Sequence, residues 1–223
     1  MNNTFPFTAI VGLELAKRSL LFHAVDPRLG GLLLMGHRGC AKSTLARAFR
    51  EILPAPIYSE MTPFVEVPLG TSEDRLLGSI DASSLLENGK WSAQSGLIEQ
   101  ANGGVLYIDE VNLLPDHLVD SILDSAASGQ HRIERDGLSQ TVKALYILIG
   151  SMNPEEGDLR PQLTDRFMHG ILIHDDFSVE ERREIVRVRM DFDDDQQNFL
   201  AEQQTKLEQL RSQILGVRQE LKN

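Results

Sequence analysis

The stretch Gly36-His37-Arg38-Gly39-Cys40-Ala41-Lys42-Ser43-Thr44 follows an apolar run from Gly31 to Met35 and precedes a helical pattern from Leu45 to Leu53. An apolar strand that turns through glycines straight into a helix commits the chain to an α/β arrangement. It also leaves backbone N–H groups pointing into the turn, where they hold phosphate. Gly36 and Gly39 allow close backbone approach, Lys42 reaches terminal phosphates, and the Ser43 hydroxyl can complete a Mg²⁺ shell. The turn departs from the usual phosphate-loop pattern at one position: Ala41 stands before the lysine where glycine is the norm.

Short apolar segments at Leu32–Met35, Phe64–Val67, Val105–Ile108, Leu145–Ile149 and Ile171–Ile173 alternate with amphipathic stretches at Thr44–Leu53, Leu113–Ser128 and Val179–Met190. That alternation predicts a parallel sheet with crossover helices. Two insertions interrupt it. One is the Gly-, Ser- and Leu-rich segment Ser72–Trp91, which precedes a short helix near Leu97–Ala101. The other is Gln130–Val142, where Asp136-Gly137 between two extended runs signals a hairpin. After the acidic cluster Asp191, Asp193, Asp194 and Asp195, a polar helix carries Leu207, Leu210, Ile214, Val217 and Leu221 at spacings of three and four. That narrow stripe needs a surface to rest on. The expected division is a nucleotide-binding core over 1–190 and an acidic linker with a C-terminal helix over 191–223.

At 223 residues, 41% hydrophobic, the chain can bury one sizeable core, and its formal charge of −11 disfavours a broad nucleic-acid footprint while leaving room for local basic patches. A single cysteine excludes an internal disulfide framework, and the start Met1–Phe7 lacks the parts of a signal peptide, so a cytoplasmic location is expected. Apolar runs fall far short of the roughly 20 residues that span a bilayer. The six histidines show no zinc-like spacing with Cys40.

Asp109 and Glu110 close the strand Val105–Ile108. At such a strand end Asp109 can hold a Mg²⁺-bound water, while Glu110 polarises an attacking water. The apolar strand Leu145–Ile149 leads on to Asn153, whose amide can reach between the γ-phosphate and that water. Arg166, with Arg160 in reserve, is the candidate finger: a guanidinium offered to a neighbouring subunit's γ-phosphate stabilises transition-state charge.

These segments, together with Phe5–Gly12, Ala101–Leu114, Asp116–Asp120, Leu123–Gly129 and Gly150–Leu163, resemble the AAA+ ATPases, specifically the ATPase subunit of magnesium chelatase and its relatives. The resemblance implies a three-layer αβα sandwich with a five-stranded parallel sheet. It further implies a helix-2 insertion (Ser72–Trp91), a pre-sensor hairpin (around Asp136-Gly137) and a long C-terminal helix, with the lid domain absent. Ile10, Val11 and Gly12 match the segment lining the adenine pocket, and Leu13 replaces its usual glutamine. The implied nucleotide-binding set is Val11, Gly12, Gly36, Arg38, Gly39, Cys40, Ala41, Lys42, Ser43, Thr44 and Asp109. Ser43 and Asp109 serve Mg²⁺, and Lys42, Glu110, Asn153 and Arg166 act in hydrolysis.

The cofactors implied are ATP and Mg²⁺, and the implied assembly is a ring, with six subunits expected. A motor of this kind drives partner subunits that insert magnesium into a porphyrin. A MoxR-like remodelling ATPase with an integrin-like partner domain and a lid-less core with little turnover are the alternatives. A DNA translocase is disfavoured by the mixed hairpin tip Glu134, Arg135, Asp136.

Overall fold

The computed structural model describes residues 4–54, 62–81, 92–135, 138–174 and 176–221. Its centre is a sheet of five strands: β1 (Gly31–Met35), β2 (Phe64–Val67), β5 (Val105–Ile108), β8 (Ile147–Met152) and β9 (Phe167–Leu172), in the order β2-β5-β8-β1-β9. Every neighbouring pair is parallel.

Helices cover both faces, which is why the inner strands read as unbroken apolar runs. On one face Leu33, Leu106, Ile108 and Leu148 pack with Leu118, Val119 and Ile122 of the helix Asp116–Ser128. On the other, Leu32, Leu34, Tyr107, Ile147 and Ile149 pack beneath α1 (Glu14–Val25) and α2 (Lys42–Ile52) through Leu20, Leu45 and Phe49.

Two strands differ in extent from the sequence expectation. β8 starts at Ile147 rather than Leu145, because the Leu145 N–H bonds Asn102 Oδ1, and the Tyr146 hydroxyl is drawn into a buried contact with Ser125 and the Ile122 carbonyl. β9 begins at Phe167, earlier than the apolar run shows. It is an edge strand on which Met168, Gly170 and Leu172 face outward, so its pattern alternates. The helix expected from Leu113 begins at Asp116, because Pro115 takes the N-cap after a 3-10 turn at Val111–Leu113.

In the insertions, α3 (Glu73–Leu77) is capped by Ser72 and leads into β3 (Ser79–Asp81), which pairs antiparallel with β4 (Ser92–Gln94). The rest of that segment lies outside the described residues. α4 (Leu97–Gln100) precedes β5, and α5 is the helix Asp116–Ser128. β6 (Gln130–Arg135) and β7 (Leu138–Lys143) pair antiparallel from Gln130↔Lys143 to Arg135↔Leu138, so the hairpin is present, while its turn, Asp136-Gly137, lies outside the described residues.

After α6 (Pro161–Thr164) and β9, α7 (Val179–Asp194) starts with a capping box, Ser178 with Glu181, and ends in the acidic cluster. Asp195 then caps α8 (Gln196–Glu220). The stripe on α8 rests on the main body: Leu207 and Ile214 are buried and Leu210 packs beside them, while Val217 and Leu221 at the end stay exposed. Arg211 Nε donates to the Glu51 carbonyl at 2.5 Å, and Arg218 Nε to the Ala24 carbonyl at 2.7 Å. These arginines satisfy carbonyls in the last turns of α2 and α1 that have no partner within their own helices.

Candidate functional site

In a parallel sheet the carboxyl ends of adjacent strands deliver their following loops to one edge. Here β5, β8 and β1 bring Asp109, Glu110, Ser151 and Asn153 against the phosphate turn, around a cavity of about 390 Å³ that Arg38, Gly39, Ala41, Lys42, Ser43 and Thr44 complete. Gly36 lies in the turn beneath. A side chain on it would meet the Ile173 carbonyl oxygen at 2.8 Å and Cys40 Sγ at 2.9 Å, so the close approach of β1 to the end of β9 requires glycine there.

Ala41 takes a left-handed backbone, φ 64° and ψ 19°, and N-caps α2 without a side-chain cap bond. The substitution of alanine for the usual glycine therefore keeps the turn's geometry at the cost of backbone strain. The uncapped first turn of α2 offers N–H donors and the positive end of the helix dipole to an anion. Lys42 Nζ donates to the Gly36 carbonyl at 2.6 Å and the His37 carbonyl at 2.8 Å, which holds its ammonium across the turn.

Tyr107, Asp109, Ile149 and Ser151 share the sheet face beneath α2, by strand alternation and the register Tyr107↔Ile149. Asp109 Oδ1 accepts from the Tyr107 hydroxyl at 2.9 Å and from Ser151 Oγ at 2.5 Å. Burial pushes the Tyr107 phenol well above its ordinary range, and the adjacent carboxylate adds to the rise, so the hydroxyl stays a donor. Both bonds fall on Oδ1, and Asp109 lines the cavity. With Ser43 opposite, this donor set fits a hard divalent cation that keeps most of its waters.

Glu110 turns out of the strand with φ 53°, and its N–H donates to Ser151 Oγ at 3.2 Å. Asn153 is buried, its Oδ1 accepting from the Glu155 N–H at 3.2 Å. The sequence reading did not single out Tyr107 or Ser151 as parts of the site. Tyr107 sits inside an apolar run and Ser151 two residues beyond one, and only the pairing of β5 with β8 reveals their contact with Asp109.

A second, mostly apolar cavity of about 260 Å³ adjoins the first through Gly39, Ala41 and Thr44. Ile10, Val11 and Cys40 line it, joined by Leu13, Phe177, Ile185 and Val188. Gly12 is not part of this lining. It carries φ 69° beneath Phe177, whose ring would lie 2.7 Å from any added Cβ, so its contribution is to let Phe177 close over the turn. Leu13, in the glutamine position, adds an apolar wall in place of a hydrogen bond.

Arg166 is not brought to this cavity. It directly precedes Phe167, which pairs with Gly31 at the opposite end of the sheet, and its guanidinium bonds Asp120 and Asp124 of α5. Arg160 pairs with Asp116 on the same helix at 2.5 Å.

The family description "AAA domain (dynein-related subfamily)" matches residues 31–167. Over 96% of its length the chain is 43% identical to the magnesium-chelatase 38 kDa subunit of Chlorobaculum tepidum, of which it spans 64%. It is 45% identical, over 97% of its length, to the magnesium-chelatase 38 kDa subunit of Rhodobacter capsulatus, spanning 69% of that protein. Among solved structures, a chain in the cryo-electron-microscopy complex between subunits BchI and BchD of magnesium chelatase superposes with a TM-score of 0.75 at 43% identity. The match covers 99% of this chain and 77% of that one.

Proposed function

The chain belongs to the AAA family, with the magnesium-chelatase 38 kDa subunits among its relatives, and we propose that it is a MgATP-hydrolysing motor of the chelatase type. In this reading it drives partner subunits that insert magnesium into a porphyrin. The observation that carries the reading is the convergence of Lys42, Asp109, Glu110 and Asn153 on one cavity continuous with an apolar pocket of a size for a purine.

The apolar pocket takes the base between Val11, Leu13 and Ile185, and the uncapped α2 turn with Lys42 takes the phosphates. Ser43 and Asp109 would hold Mg²⁺, which when bound neutralises phosphate charge. Glu110 accepts the proton of the attacking water, and Asn153 orients that water against the γ-phosphate.

Arg166 serves a second subunit. Its place at the far end of the sheet keeps it from its own site, and the Asp120 and Asp124 carboxylates fix its guanidinium on an exposed face. Such an arrangement calls for a ring, in which each site is completed by its neighbour. The charge of −11 and the absence, among the described residues, of a helix able to cross a membrane fit a cytoplasmic motor acting on proteins.

The test is ATP turnover as a function of protein concentration for wild type, Glu110→Gln and Arg166→Ala, with ATP binding followed in parallel. Turnover per subunit should rise with concentration, and both variants should lose about a hundredfold or more of it while still binding ATP. Addition of a chelatase-type partner and a porphyrin should then couple turnover to magnesium insertion. Turnover per subunit that does not change with concentration in wild type, or that persists undiminished in Arg166→Ala, would refute the shared site. Turnover that ignores the chelatase partner would redirect the motor to protein remodelling.

A further inference from the structure

Arg38 stands in the turn that cradles phosphate, yet its guanidinium is committed to carboxylates. Its Nη2 lies 3.2 Å from Glu110 Oε1 and its Nε 2.8 Å from Glu156 Oε1. We infer that Arg38 is a positioning residue for Glu110, holding the carboxylate that polarises the attacking water and being itself held by Glu156. The inference rests on the hydrolase reading above and deepens it.

Three observations carry it. The first is that the backbone of Glu110 is fixed, by its left-handed turn and by the bond from its N–H to Ser151. Among the described residues, Arg38 is the partner found at its carboxylate, and it engages Oε1 alone, so Oε2 remains for a water. A glutamate on a fixed backbone still has three side-chain torsions, and a base must be held within hydrogen-bond reach of the proton it takes.

The second is that a planar guanidinium presents separate N–H edges in fixed relative directions, so one arginine can fix two carboxylates at a set angle. Arg38 thereby joins the loops that follow β1, β5 and β8.

The third is exposure. The Arg38 side chain is 74% exposed against 21% for Glu110 and 25% for Glu156. Ion pairs this wet add little to stability, so what the bridge contributes is orientation rather than folding. Glu156 belongs to the 3-10 turn Pro154–Glu156, which Asn153 caps with its own side chain. The anchor of Arg38 and the amide facing the γ-phosphate therefore belong to one short unit, and Glu110 is aligned relative to Asn153.

The experiment measures kcat and KM for MgATP hydrolysis, with direct ATP binding as a separate readout, on wild type, Arg38→Gln, Arg38→Lys, Glu156→Gln and the Arg38→Gln/Glu156→Gln double variant. Arg38→Gln should lower kcat by about tenfold or more and leave ATP affinity within about twofold. Arg38→Lys should recover part of the loss, since an ammonium reaches one carboxylate but cannot fork between two. Glu156→Gln should cost about threefold, and the double variant should be no worse than Arg38→Gln alone, because Glu156 acts through Arg38.

ATP binding weakened tenfold in Arg38→Gln with kcat intact would make Arg38 a phosphate ligand and overturn the inference. So would an unchanged kcat, or single losses that multiply in the double variant. Wild type without turnover would overturn the hydrolase reading itself, and the inference with it, before any variant is compared.

Discussion

Replacing Ala41 with glycine should stabilise this protein, although glycine substitutions usually do the opposite. Ala41 sits at φ 64° and ψ 19°, a left-handed conformation that costs an L-residue about 1–2 kcal/mol because Cβ crowds the following carbonyl. Glycine removes that cost. Against it stands the extra freedom that glycine gives the unfolded chain, about 0.4–1 kcal/mol. The methyl group lost is only half-buried and contributes little packing. The balance is a gain of about 0.5–1 kcal/mol, which for a chain of this size moves Tm by about 1–4 °C.

Ala41→Val should act in the reverse sense and more strongly, because a β-branched side chain is a genuine outlier in this region of backbone space. Urea unfolding of the three proteins, with the slope of each transition compared to exclude a change in cooperativity, measures both differences. Wild type and Ala41→Gly should bind ATP within about twofold of each other, since the N–H that faces phosphate is the same. Equal stability across alanine, glycine and valine would refute the reasoning, for it would mean that the turn does not hold the left-handed conformation in solution.

Tyr146→Phe should cost about 1–2 kcal/mol in the same urea assay, because it removes a buried hydroxyl that bonds Ser125 Oγ and the Ile122 carbonyl and so ties α5 to the start of β8. Burial holds the His23 imidazole below its usual range, so the unfolded chain takes up a proton that the folded one resists. Stability should be intact above about pH 6.5 and fall as pH drops below it, and His23→Leu should flatten that acid-side loss. Glu51 works in the opposite sense. Burial raises its carboxyl to about 7 from 4.5, so its contribution is complete below pH 4.5 and lost as pH rises through 7, and Glu51→Gln should remove that falling limb from a stability–pH profile.

The sheet and the three strand-end groups Asp109, Glu110 and Asn153 were legible because each is a local signal, an apolar run that stops at a polar residue. Ser151, Tyr107 and Phe177 were not, and the reason is register. Ile108 pairs with Gly150 and Met35 with Met152, so the next step along the strands sets Asp109 beside Ser151 and Gly36 beside Asn153. No window of sequence displays a relation between residues 42 apart, as Ser151 and Asp109 are. Phe177, Ile185 and Val188 reach the apolar pocket only because the chain reverses after β9 and returns α7 to the phosphate turn. The extent of β9 was misjudged because His169 and Gly170 interrupt its apolar residues, leaving Phe167-Met168 cut off from Ile171-Leu172.

The same dependence on register makes the site a property of the whole sheet rather than of its motifs. Side chains alternate between faces with a period of two, so sliding β8 by one residue against β5 would carry Ser151 to the face under α5 and set Gly150 or Met152 beside Asp109. Asp109 would lose one of its two donors, the Glu110 N–H its acceptor, and Asn153 its place opposite Gly36. What prevents the slip is remote from the phosphate turn. The Tyr146 hydroxyl is locked to α5, the Ile147 N–H bonds the Gly104 carbonyl, and the Leu145 N–H bonds Asn102, all at the end of the sheet opposite the phosphate turn. The alignment of the proposed hydrolytic groups is therefore set from the far ends of their strands, where the sequence shows no catalytic pattern.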